Sequence, residues 1–168
     1  MALQLFEIAN QTVGSGGAAS ITFASIPQGY TDLILKTSLR TTTADASLPQ
    51  KFTTVSFNGS TANQTQKTLY AQGATVASNS STAINLWACS NLTTANSFSN
   101  GEMYIPNYTS SSFKTMQADI VIENNATNAL ITPTIALWSN TSAITSITLG
   151  LDTGLFVQYS TATLYGIL

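Results

Sequence analysis

Over residues 32–41 the chain alternates with a period of two: Leu33, Leu35, Thr37 and Leu39 fall on one side, Lys36, Ser38 and Arg40 on the other. Successive side chains of a strand point to opposite faces, so this segment predicts a strand with one buried face. The clearest alternation runs over 115–123, with Met116, Ala118, Ile120 and Ile122 inward against Gln117, Asp119 and Glu123. Shorter versions predict strands over 6–13, 20–26 (Ile21 and Phe23 sharing a face), 52–57, 98–105, 134–138, 144–149, 155–159 and 161–167, with weaker candidates at 67–72 and 83–88. Breakers separate them: Gly14-Ser15-Gly16-Gly17, Pro27-Gln28-Gly29, Asn58-Gly59, Pro106 and Asn124-Asn125. The Ser/Thr/Asn-rich stretches between these strands are expected to be long loops.

No capped amphipathic segment of helical period interrupts this pattern. Nine to eleven short strands at such spacing mean a sandwich or a barrel. No composition shift or linker divides the chain, so residues 1–168 are expected to form one all-β domain, an antiparallel β-sandwich. A jelly-roll is favoured over an immunoglobulin-like arrangement because the strands are many and a cysteine pair is absent.

Composition changes the picture in one respect. Charged residues are only 7% of the chain, where about 25% is usual. A skin of neutral hydroxyls and amides generates little long-range field, and the five basic residues, Lys36, Arg40, Lys51, Lys67 and Lys114, do not cluster in sequence. Nucleic acid is therefore not an expected partner. Association should rest on shape, apolar contact and backbone pairing, which salt weakens little. No apolar run approaches the roughly 20 residues of a membrane span, and Met1 to Glu7 lack the basic and apolar regions of a signal peptide. The expectation is synthesis in a cytoplasm with no membrane partner. The eight Asn-x-Ser/Thr triplets, beginning at Asn10, Asn58, Asn63, Asn79, Asn91, Asn107, Asn125 and Asn140, are read as turn and surface residues. The single cysteine, Cys89, is expected to be a small buried side chain.

Candidate chemistry is sparse. The chain has no histidine, which removes the commonest general base and metal ligand, so no catalytic residue, cofactor or metal site is expected. Asp119 and Glu123 share a strand face but lie about 13 Å apart, beyond the roughly 5–9.5 Å of a glycosidase pair. The glycine-rich segment at 14–17 is followed by neither the Lys-Ser/Thr nor the helix of a phosphate loop and reads as a turn. A calcium site at Asp152 with loop carbonyls is conceivable but lacks the EF-hand spacing. Trp87, Trp138, Tyr70, Tyr104 and Tyr108 could in principle stack on a sugar. Trp138 reads as core, which leaves Tyr104 and Tyr108, around Pro106-Asn107, as the candidate surface-binding residues.

Four segments carry a resemblance: Ser20-Ile21-Thr22-Phe23-Ala24-Ser25-Ile26-Pro27-Gln28-Gly29-Tyr30-Thr31-Asp32-Leu33; Tyr104-Ile105-Pro106-Asn107-Tyr108-Thr109; Leu137-Trp138-Ser139-Asn140-Thr141-Ser142-Ala143-Ile144-Thr145-Ser146-Ile147; and Ser160-Thr161-Ala162-Thr163-Leu164-Tyr165-Gly166-Ile167. With their spacing they resemble the small jelly-roll virion structural proteins of tailed bacteriophages, especially those of cyanobacteria and other aquatic bacteria. The stretch from Asn58 to Ser80 departs from that pattern in its richness in Thr, Gln and Ala. The resemblance implies a capsid decoration (cement) protein on the head surface of the virion, made in the host cytoplasm. It would bind the major capsid protein, act as a homotrimer and stabilise the head. The alternative is a tail-associated module that binds a receptor or a glycan. Residues 3–13 and 161–168 are the expected strands for pairing with a partner's edge.

Overall fold

The computed structural model describes residues 4–45, 48–125 and 128–168. They form twelve strands: β1 (Leu5–Thr12), β2 (Ser20–Phe23), β3 (Asp32–Ser38), β4 (Gln50–Phe57), β5 (Gln64–Gln72), β6 (Thr75–Ser81), β7 (Ile84–Cys89), β8 (Asn100–Ile105), β9 (Lys114–Ile122), β10 (Leu130–Trp138), β11 (Ile147–Gly150) and β12 (Thr161–Ile167). Two antiparallel sheets result, one of eight strands in the order β1-β12-β3-β8-β9-β10-β5-β6 and one of four in the order β2-β11-β4-β7. The expected all-β antiparallel sandwich is what the chain forms.

Alternation explains the core. Leu33, Leu35, Thr37 and Leu39 are buried, as are Met116, Ala118, Ile120 and Ile122, while Gln117, Asp119 and Glu123 face outward. One hydrophobic cluster takes side chains from both sheets, with the Phe57 ring of the small sheet 5.3 Å from that of Trp138 in the large one. Trp138 is buried, as expected, and so is Cys89. Burial pushes the Cys89 thiol pKa up. Asn58, Asn63, Asn107 and Asn125, each heading an Asn-x-Ser/Thr triplet, hold positive φ and turn the chain. Asn10 and Asn79 lie within strands instead.

Elsewhere the structure corrects the pattern. β6 occupies a stretch expected to be loop, because Thr, Ser, Ala and Asn show no apolar period; pairing with β5 from Gln66↔Ser81 to Gln72↔Thr75 makes it a strand. Residues 155–159 form no strand: Phe156 is bridged to Ala18 and Thr41, and Leu155, Val157 and Tyr159 make backbone hydrogen bonds with Thr42, Arg40 and Val13. β10 starts at Leu130 and runs through Pro133, around which its pairing with β5 is interrupted. A proline cannot donate to the ladder there. Of the expected edge segments, 161–167 is interior, hydrogen-bonded to β1 on one side and β3 on the other, so only β1 can offer an edge. Leu3 lies outside the described residues.

Three of the five basic side chains are spent on the fold. Lys114 is 1% exposed, and its ammonium donates to the carbonyls of Ser110 (2.7 Å), Asn140 (3.2 Å) and Ser142 (2.6 Å) while lying 5.4 Å from the centre of the Trp138 ring. Burial lowers its pKa. Arg40 donates to the Thr93, Thr94 and Ser97 carbonyls and to the Thr93 hydroxyl. Lys51, 2% exposed, sits between Asp45 (2.7 Å) and Asp152 (2.5 Å). Each cation gathers oxygens contributed by loops, and among the described residues the three carbonyls that meet Lys114 accept from no second donor.

Candidate functional site

The tyrosines expected to mark a binding surface are structural. Tyr108 is fully buried, its hydroxyl donating to the Pro27 carbonyl; desolvation raises its pKa. Tyr104 is half-buried, and its hydroxyl donates to Asp32 Oδ2 at 2.6 Å while Asp32 Oδ1 accepts the Asn107 N–H at 2.8 Å. The hydrogen bond to Asp32 is the main cause that raises the Tyr104 pKa. Together these contacts pin the turn after β8. Tyr108 is thus not the surface residue expected, because a long-range carbonyl satisfies the hydroxyl and lets the ring join the core. Trp87 packs against Phe52 and Tyr70, away from Trp138, so the five aromatics form no common stacking platform.

Around Asp152 the structure brings Asp45 and Lys51 rather than a ring of oxygens. Among the described residues no group of three His, Cys, Asp or Glu is placed to hold a metal ion. Burial works against the charged Lys51, but the hydrogen bonds and charges of Asp152 and Asp45 together outweigh it and raise its pKa. The hydrogen bond from Lys51 holds the Asp152 carboxyl below its ordinary pKa. A lowered folded-state value means that Asp152 contributes stability above the unfolded value of about 3.9 and loses it as pH falls through the folded one. Its side chain is 75% exposed, so the contribution is within the roughly 0.2–1 kcal/mol of a screened surface pair. In thermal unfolding followed at about pH 5 and pH 3, Asp152→Asn should therefore lose slightly less stability on acidification than the parent. Identical losses would count against this pairing.

The surface that stands out was not expected. On the outward face of β9, β10, β5 and β6 lie Val121 (43% exposed), Ile131 (52%), Ile135 (62%), Leu69 (52%) and Val76 (72%). Their registers make them neighbours: Val121 lies opposite Ile131, Ile131 opposite Ala71, and Ala71 opposite Val76. Pro133 and Leu137 share this parity on β10. Three shallow depressions run along the face, one between Lys67, Ser80, Thr115 and Ile135, one around Leu69, Gln117, Asp119 and Pro133, and one around Ala71, Val121 and Ile131. Within the four strands Lys67 and Asp119 are its only charged side chains. Four strands about 4.8 Å apart and some eight residues long give the whole face an area of about 500 Å², which these apolar side chains share with Thr65, Lys67, Ser78, Ser80, Thr115, Gln117 and Asp119; patches within that size are often functional. The signal was in the sequence: β10 carries apolar residues at both parities, Leu130, Ala136 and Trp138 inward and Ile131, Ile135 and Leu137 outward.

Comparison with protein-family models, with curated proteins and with solved structures returns no match.

Proposed function

We propose that this chain is a structural protein of a tailed-bacteriophage virion, a decoration protein that binds the major capsid protein and stabilises the head. It acts as a homo-oligomer and catalyses nothing. The observation that carries the reading is the exposed apolar stripe of Val121, Ile131, Ile135, Leu69 and Val76 on the outward face of β9, β10, β5 and β6, set among mostly neutral polar side chains, which suits burial against protein and ill suits a phosphate backbone. The phage assignment itself rests on the resemblance of the four quoted segments. Support for a jelly-roll comes from the chain order, in which β2, β4 and β7 of the small sheet alternate with β3, β5–β6 and β8 of the large one; the pair β9–β10 then reads as an insertion between β8 and β5. The glycan-binding alternative loses its platform with the burial of Tyr108 and Trp138.

The test is co-sedimentation with phage heads stripped of the protein, with cryo-microscopy locating the added density. Ile135→Asp should weaken loading by about ten- to a hundredfold, the equivalent of burying one isoleucine at roughly 1.5–3 kcal/mol. Its thermal midpoint should stay within about 2 °C of the parent, because the site is exposed. Undiminished loading by the variant, or density confined to the tail, would overturn the reading.

A further inference from the structure

A two-sheet sandwich has four edges, and the strands here treat them unequally. The β1 edge carries Glu7 and a bulge between Glu7 and Ala9, both features that discourage pairing. β2 is only four residues long. β7 is covered: Gln64 Oε1 and Gln66 Oε1 accept the N–H groups of Ile84 (3.0 Å) and Asn85 (2.7 Å), and the chain at Leu39 and Thr41 bonds to Cys89. β6 alone has none of these guards. Its seven residues, Thr75-Val76-Ala77-Ser78-Asn79-Ser80-Ser81, include no charge and no proline, its register with β5 is unbroken, and it ends the eight-stranded order. An unguarded strand of this length is a template for another strand.

We propose that β6 joins two copies of this chain, its strand pairing antiparallel with its own counterpart about a twofold axis at Ser78. Such a contact sets Val76 opposite Ser80 and Ala77 opposite Asn79, small neutral partners throughout. The nearest charge, the Lys67 ammonium, reaches over to Ser80 of β6 at 3.3 Å; about this twofold the two Ser80 residues lie four residues apart along the strand, about 14 Å and beyond the roughly 8–10 Å screening length. A second copy is favoured over a foreign strand because the edge is self-complementary: about Ser78 no charged or bulky side chain meets its twin, and Val76, Ala71 and Leu69 of the two copies fall on one continuous face. Ser78 and Val76 lie on the same outward side as Leu69 and Ala71, so pairing extends the apolar face without a step. The inference deepens the assembly reading and rests on it only for the use of the joined face.

Sedimentation equilibrium of the purified protein, with no phage heads present, tests it. The expected mass is that of a dimer, unchanged in molar salt. Ser78→Lys sets two ammonium groups directly opposite one another and should weaken the dimer at least thirtyfold with the thermal midpoint of the monomer unchanged. A parent protein that is monomeric or trimeric, or a dimer indifferent to Ser78→Lys, overturns the proposal. A monomer that still loads onto heads leaves the face reading standing, while a dimer that fails to load sinks that reading and spares the β6 contact.

Discussion

Lys114→Met is expected to lower the thermal midpoint by about 10 °C. The lysine ammonium has three protons and meets three carbonyls, that of Ser110 from the loop before β9 and those of Asn140 and Ser142 from the loop after β10. Methionine fills the space but leaves those acceptors without a donor, at about 1–3 kcal/mol for each that water cannot reach. Relief from burying a charge offsets part of that cost. The net loss should be about 3 kcal/mol, and for a domain of this size each kcal/mol shifts the midpoint by roughly 2–4 °C. Arginine should not rescue it, because a planar fork cannot aim at three converging carbonyls. Calorimetry of the three proteins decides the matter, and a shift below about 3 °C for Lys114→Met would show that the loops do not depend on this cation.

Gly166→Ala should be comparably damaging. Gly166 is buried in β12 between Phe6 of β1 and Leu33 of β3, and a Cβ there would overlap the Tyr30 ring at its base, at Cγ and both Cδ atoms. That part of the ring cannot swing aside without moving the whole side chain, which also packs 5.8 Å from Phe6. Displacing it forfeits an aromatic contact and most of a ring's burial, about 3 kcal/mol in all. The diagnostic is a double-mutant cycle by denaturant unfolding. Tyr30→Ala alone should be destabilising, but adding Gly166→Ala to it should cost little more, a coupling of about 2 kcal/mol. Additive losses would mean that the glycine serves something other than the overlying ring.

How far these features were legible depended on whether a partner was needed to see them. β3 and β9 announce themselves because each has one wet and one dry face, and Leu33, Leu35, Met116 and Ile120 are buried as their parity requires. β6 was invisible because its neutral, small residues are held as a strand by β5, not by their own pattern. Tyr108 was misread because its satisfying acceptor, the Pro27 carbonyl, lies 81 residues away in sequence. The basic residues were a thin scatter along the sequence; only in three dimensions do Lys51, Lys114 and Arg40 turn inward, each toward oxygens contributed by loops. The apolar outer face was partly readable, since Ile131, Ile135 and Val121 break the alternation of their strands, but that break says nothing about which neighbouring strands extend the patch.

The position of the last two strands bears on how the protein is made. β11 slots between β2 and β4, and β12 between β1 and β3, so each sheet stays in two pieces until its inserted strand has been synthesised. At about 5–20 residues per second the early strands wait several seconds or more with their apolar sides uncovered. Each sheet must then wait for its inserted strand before it can order, and largely non-local pairing makes that ordering slow. A skin of serine, threonine and asparagine, which keeps a waiting nascent chain wet without fixing it to anything charged, suits that delay.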